Sequence, residues 1–267
     1  MAQDAKTRVF RYASADLRKE QQNAEIQRFI EIWKQRTGCY PAEYSKLATN
    51  NHLNRLNQMG IGFMTLRRRS KNMVQQIHNE PLSAWRRIEL QSVSRIYKTP
   101  RILDQEITLR DYQGKIRQLV IKDLGHDEPM FLLTNQLKRS APKLINRYAQ
   151  RMIIENRIED SIDFFHMDAL SSAVAMKVNL DTQLTLMASS LYRLLALKIA
   201  NGYERVKSRH LFRDFVDATA YISITKKDIT VKFQKRAHNP LLLACGFDKI
   251  DLKIPWLENK NFRIILG

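Results

Sequence analysis

Cysteine is almost missing from this chain: Cys39 and Cys245 are the only two, far apart and without the paired spacing of a thiolate zinc site. That excludes a disulfide framework, argues against a structural metal and suits a reducing, cytoplasmic setting. Long uncharged apolar runs are missing too. The longest apolar stretch, Leu184 to Ala200, is interrupted by Arg193 and Lys198, and Met1 to Lys6 has no apolar core like that of a signal peptide. No membrane span is therefore expected. The chain has no glycine-rich phosphate loop, no nucleophile elbow and no internal repeat, so P-loop and serine-hydrolase chemistry are left without a motif. Acidic residues are scarce: 27 Asp and Glu face 45 Lys and Arg, for a net charge of +18. An excess of that size is balanced by solvent ions or by a polyanion, which makes nucleic acid the expected partner.

What is present can build a core. With 267 residues, 44% of them hydrophobic, the chain can bury one large core or two modest ones. Arg8 to Tyr12 alternates polar and apolar residues, as a short half-buried strand does. Leu17 to Arg36 follows, with Ile26, Phe29, Ile30 and Trp33 at helical spacing and Gly38 where a C-terminal cap belongs. Leu47 to Met59 reads as a helix closed by Gly60, and Ile61 to Leu66 as a buried strand running into Arg67-Arg68-Arg69. Between Trp85 and Pro129 the pattern changes to short alternating stretches: Arg86 to Val93, Ile102 to Leu109 and Ile116 to Lys122. The turn-like Asp111-Tyr112-Gln113-Gly114 separates the last two. The apolar run Phe131-Leu132-Leu133 ends in Thr134-Asn135, and Ser140-Ala141-Pro142 supplies a capping serine and an early proline for a long helix. A second helix from about Leu180 to Asn201 carries a Leu and Met stripe expected in the core, with Gly202 as its cap. Tyr221 to Phe233 alternates like a hairpin turning at Lys226-Lys227-Asp228.

On the long helix after Asn135, Tyr148, Arg151 and Glu155 stand at offsets of three and four, so one helix face should carry all three. Arg precedes Glu, the less stabilising order for a simple surface pair. The apolar strand, the linker and this triplet resemble the C-terminal signature of DDE transposases of bacterial insertion sequences, in the IS-four-like group, whose pattern runs YxxRxxxE followed by a lysine. The lysine position is Ile162 in this chain. The segment from Leu53 to the basic run Arg67-Arg68-Arg69 resembles the family's second helix-and-strand unit, and the likeness spans roughly residues 9 to 200.

The resemblance implies an α/β (mixed α+β) fold: a partial RNase H-like core with a β-rich insertion and a C-terminal helical and hairpin extension. The corresponding segments are 1–80 for the first part of the core, 81–128 for the insertion, 129–202 for the second part, and 203–267 for the extension. It implies that Glu155 is a catalytic, metal-binding acid holding Mg2+ or Mn2+, and that Tyr148, Arg151, Arg67, Arg68, Arg69 and Trp85 face duplex DNA at the ends of a mobile element. Trp85 would stack on a base.

The family holds two cations with three carboxylates, and one carboxylate cannot fix two ions at bridging distance. The first Asp would be expected many residues before the strand at Val9, and Asp4 and Asp16 flank the wrong element. The second would end a buried strand near Tyr40 to Lys46. Ser45-Lys46 match there, but Pro41 and Glu43 replace the apolar strand and its Asp. The expectation is thus a partial or degenerate transposase, inactive alone, with an open sheet edge beside the strand at Val9 that invites a homodimer or association with an intact transposase. A DNA-binding protein without catalysis, which occupies element ends or inhibits an intact enzyme, is the alternative. An RNA-binding protein, marked by preference for single-stranded RNA, is the third.

Overall fold

The computed structural model describes every residue except 5, 16, 42, 45–48, 91–97, 126, 151 and 170. In chain order the strands are β1 (Ala2–Gln3), β2 (Phe10–Tyr12), β3 (Glu43–Tyr44), β4 (Gly62–Leu66), β5 (Arg86–Arg87), β6 (Arg101–Ile107), β7 (Ile116–Lys122), β8 (Met130–Thr134), β9 (Ala220–Ile224), β10 (Asp228–Phe233), β11 (Leu252–Ile254) and β12 (Lys260–Leu266). The helices are α1 (Gln22–Thr37), α2 (Asn50–Gln58), α3 (Lys71–His78), α4 (Ala141–Ala149), α5 (Met152–Phe165), α6 (Ala175–Ile199), α7 (Ser208–Leu211) and α8 (Asn239–Ala244). The chain is a mixture of α and β structure, as expected. It divides into two compact units, Leu17–Glu155 and Met1–Asp16 with Asn156–Gly267, and the boundary falls inside α5.

The unit Leu17–Glu155 is built on a six-stranded sheet of order β3-β4-β8-β7-β6-β5. β3 and β4 are parallel with α2 between them in sequence, and β4, β8, β7, β6 and β5 pair antiparallel in turn. The strands expected as an insertion, β6 and β7, therefore share a sheet with β8. Strand alternation sorts the side chains. Met64, Ile102, Leu119, Ile121 and Leu132 pack against Ala141, Leu144 and Ile145 of α4. On the opposite face, Phe63, Ile116 and Leu133 pack against Ile26 and Ile30 of α1 and Leu53 and Leu56 of α2. Farther along that same face, Leu103, Val120 and Phe131 pack against Ile77 of α3 and Trp85. With both faces covered, β7 is buried at all but its last residue and β8 at all but its first.

Local chemistry sets the helix ends. Gly38 takes φ 75° and its amide bonds the Lys34 carbonyl at 2.8 Å, closing α1 where the sequence places a cap. Gly60, at φ 70°, follows α2, and the next amide, Ile61, returns to the Leu56 carbonyl at 3.0 Å. Thr49 and Ser70 cap α2 and α3 by accepting from the amides of His52 and Met73.

The other unit holds a four-stranded sheet of order β11-β12-β10-β9, in which the expected hairpin appears as β9 and β10. Its apolar core gathers Ala196 and Ile199 of α6 with Leu211 and Phe215. The N-terminal segment lies along α6. Gln183 donates to the Ala13 carbonyl at 2.7 Å, Ser190 Oγ accepts from the Phe10 amide at 3.2 Å, and Arg193 Nε donates to the Thr7 carbonyl at 2.9 Å. Two expectations are corrected here. The strand near Val9 is no part of the six-stranded sheet, because β2 pairs antiparallel with β1. The Leu and Met stripe of α6 is not core: its buried positions are Thr182, Leu186, Ser189, Arg193, Ala196 and Ile199, while Leu180, Leu184, Met187, Leu191 and Leu194 are exposed. Helical periodicity identifies a stripe but not which face of the helix is covered. Among the described residues no helix is long and apolar enough to cross a membrane.

Candidate nucleic-acid interface

The segment that carries the family resemblance begins as expected, because β8 is an interior strand between β4 and β7. Asn135 extends its pairing with side-chain bonds. Its Oδ1 accepts from the Phe63 amide at 2.9 Å, and its Nδ2 donates to the Ile61 carbonyl and Asn57 Oδ1, each at 3.0 Å. The linker to α4 is clamped by Arg117, a buried residue of β7. Its Nη1 donates to the carbonyls of Gln136 at 3.3 Å, Leu137 at 3.2 Å and Arg139, while Nε and Nη2 grip Asp104 of β6 at 2.8 and 2.7 Å. This forked pair with Asp104 holds the Arg117 pKa above its ordinary value. Ser140 sits at the N-cap of α4 with extended backbone and Pro142 follows within the first turn, but the serine side chain makes no capping bond.

The triplet is not carried by one helix. α4 ends at Ala149, α5 begins at Met152, and no glycine or proline lies between Tyr148 and Glu155 to announce the break. Tyr148 closes α4, half-buried against the cluster formed by Leu144 and Ile145. Arg151 lies outside the described residues. Glu155 is exposed in the first turn of α5, where a carboxylate complements the positive end of the helix dipole.

The donor set among the described residues does not assemble the implied cation site. Among the described residues no group of three His, Cys, Asp or Glu side chains could hold a metal ion. The other acids of α5 are engaged in the fold. Asp160 is buried and accepts from the Ser208 amide and hydroxyl, the latter at 2.7 Å, and Lys207 faces Glu159 at 3.8 Å and Asp163 at 3.3 Å. Glu43 pairs through its backbone with Gly62, and Ser45 and Lys46 lie outside the described residues.

The basic run of the sequence does meet a cavity. One apolar patch on this face of the sheet is covered by α1 and α2, the other by α3 together with Trp85. Between them lies a polar band of Thr65, Gln105 and Gln118, and a cleft of about 500 Å3 opens there. Arg67, directly after β4, reaches into it. Its amide bonds the Phe131 carbonyl at 2.9 Å, and Nη1 donates to Gln118 Oε1 at 2.7 Å, while Gln118 Nε2 donates to Gln105 Oε1 at 3.3 Å. The end of α3 contributes Gln76, Asn79 and Glu80 to the rim. Among the described residues no carboxylate pairs with Arg67, and burial pushes its pKa down from the ordinary value. Arg68 is exposed, and Arg69 is exposed and meets Glu128 at 2.9 Å, a surface pair that contributes about 0–1 kcal/mol.

Trp85 is buried beneath α3, and Lys122 Nζ covers one face of its ring at 3.6 Å from the centroid. A stacking base would have to displace that ammonium. The residues that sequence reasoning missed are Gln105 and Gln118. A signal for them existed: Arg117-Gln118 interrupts an otherwise apolar strand, and polar residues inside a strand covered on both faces need a partner or a purpose. No protein-family model matches the chain, and no curated protein matches it.

Proposed function

We propose that the chain is a duplex-DNA-binding protein of DDE transposase type, with a partial RNase H-like core, that holds the ends of a mobile element without cutting them by itself. The observation that carries this reading is Arg67: a half-buried cation, hydrogen-bonded by Gln118 and matched by no carboxylate among the described residues, at the mouth of a polar cleft. A phosphate oxygen would satisfy the rest of its fork. Arg68 and Arg69 extend the same strand end toward solvent, and the net charge of +18 supplies the long-range attraction. The strand, helix and strand order of β3, α2 and β4, followed by interior β8 and the Glu155 segment, supports the family likeness. Mg2+ or Mn2+ at Glu155 would require two further acids that the described residues do not bring together, so no cleavage step is assigned to this chain.

Fluorescence anisotropy with a labelled duplex, repeated across a salt series, tests the reading. Binding should weaken steeply with salt, and Arg67→Ala should weaken it about ten-fold and flatten the log–log slope by about one unit. An unchanged slope in the variant, or a preference for single-stranded RNA, would remove the proposal. A metal-dependent nick lost on Glu155→Ala would replace it with a catalytic one.

A further inference from the structure

α6 buries one side of mixed character and leaves an apolar side exposed. One side is the buried row described above, where Arg193 and Ser189 sit among Leu186, Ala196 and Ile199. The other carries Met176, Leu180, Leu184, Met187, Leu191 and Leu194, each between 50% and 80% exposed. From Leu180 onward these residues are four, three, four and three apart, the a/d spacing of a coiled-coil seam. Lysines stand at the next seam positions on either side, Lys177 and Lys198, so the apolar stretch has charged ends. An apolar helix face of this length is normally covered.

The geometry points to a homodimer in which this seam packs against the same seam of a second copy. Three observations select that occupant. A 3-4 repeat is complemented by a helix with the same repeat, and a second copy presents one by construction. The residues flanking the seam, Asp181, Gln183, Ala188, Ser190, Leu195 and Leu197, include a single charge, so like charges of two chains of net charge +18 meet there only at the lysine ends of the seam. The area is also sufficient. With roughly 180–200 Å2 for a fully exposed Leu or Met residue, the six residues expose on the order of 700 Å2. That exceeds the largest apolar patch of about 300–600 Å2 on a typical monomer and approaches the roughly 800 Å2 per partner of a standard interface. The N-terminal segment bonds Gln183 and Ser190 on one flank and the buried Arg193, and the seam residues themselves stay exposed. This inference rests on α6 alone and stands or falls apart from DNA binding.

Sedimentation equilibrium of the full chain, without DNA, tests it at low and high salt. A dimer is expected at about 10 µM, and it should tighten with salt, because screening relieves the repulsion between two basic chains while the seam itself is apolar. DNA binding has the opposite salt dependence. The double substitution Leu184→Asp, Leu191→Asp should weaken the dimer at least a hundred-fold with unchanged circular dichroism, since both positions face solvent in the single chain. If the aspartates unwind the helix, Leu184→Gln with Leu191→Gln keeps helix propensity and should give the same monomer. A wild-type chain that remains monomeric at about 100 µM, or a dimer that survives in a folded variant, overturns the proposal.

Discussion

The two units use sheets in opposite ways. In Leu17–Glu155, helices cover both faces of the six-stranded sheet, and β7 and β8 bury nearly every residue. In the unit containing α6, β9 has four exposed residues out of five, and β11 is exposed at two of three. The first unit has solved its burial within the chain. The second leaves apolar surface on α6, on β9 through Tyr221, Ile222 and Ile224, and at Trp256. The lesson is that apolar composition does not locate a core, since a side chain stabilises the fold only against a surface the chain itself supplies.

Truncating one side chain in each sheet should break this comparison most sharply. Phe131→Ala, in interior β8, is expected to cost about 3–5 kcal/mol in denaturant unfolding, because a ring 1% exposed leaves a cavity between α3 and the sheet. Ile222→Ala on exposed β9 should change stability by less than about 0.5 kcal/mol. Equal costs at the two positions would mean that β9 is covered in solution.

A smaller effect should separate the buried and open faces of α6. Arg193 is 5% exposed, and burial, reinforced by Arg157 and Arg8, pushes its pKa down to about 10. Its guanidinium is held by the carbonyls of Thr7 and Glu204. Arg193→Ala should cost about 1.5–3 kcal/mol and speed hydrogen exchange at the amides of β2. Arg193→Met, which retains volume without burying a charge, should recover part of that loss. Protection of β2 that is indifferent to both substitutions would show that Arg193 does not tether the N-terminal segment.

The smallest expected effect lies in the first unit. Burial, with Arg55 nearby, holds the His52 imidazole below its ordinary pKa. The unfolded chain therefore takes up this proton at a higher pH than the folded one, so the contribution is intact above about pH 6.5 and is lost as pH falls through the folded value. Thermal melts between about pH 7 and 5 should decline less steeply for His52→Gln than for the wild type. Parallel curves would assign the acid sensitivity to other groups.

Much of the secondary structure was legible in the residues. Ile116 to Lys122 is a strand over the predicted span, the hairpin at Tyr221 to Phe233 forms, and Gly38 and Gly60 end their helices with positive φ, because these outcomes depend on local patterns and on backbone freedom at one residue. Three features needed the folded chain. The helix bearing the Tyr148 to Glu155 triplet is divided between α4 and α5, although its sequence has no helix-breaking residue. The cleft at Arg67 exists because two apolar patches on one sheet face stop short of each other, leaving Gln105 and Gln118 between them. The Leu and Met stripe of α6 faces outward because the short segment at residues 7 to 15 and the buried row occupy other sides of the helix. Periodicity is a property of neighbours in sequence, and it fixed these elements; which face is covered depends on residues more than a hundred positions away, and only the tertiary structure decided that.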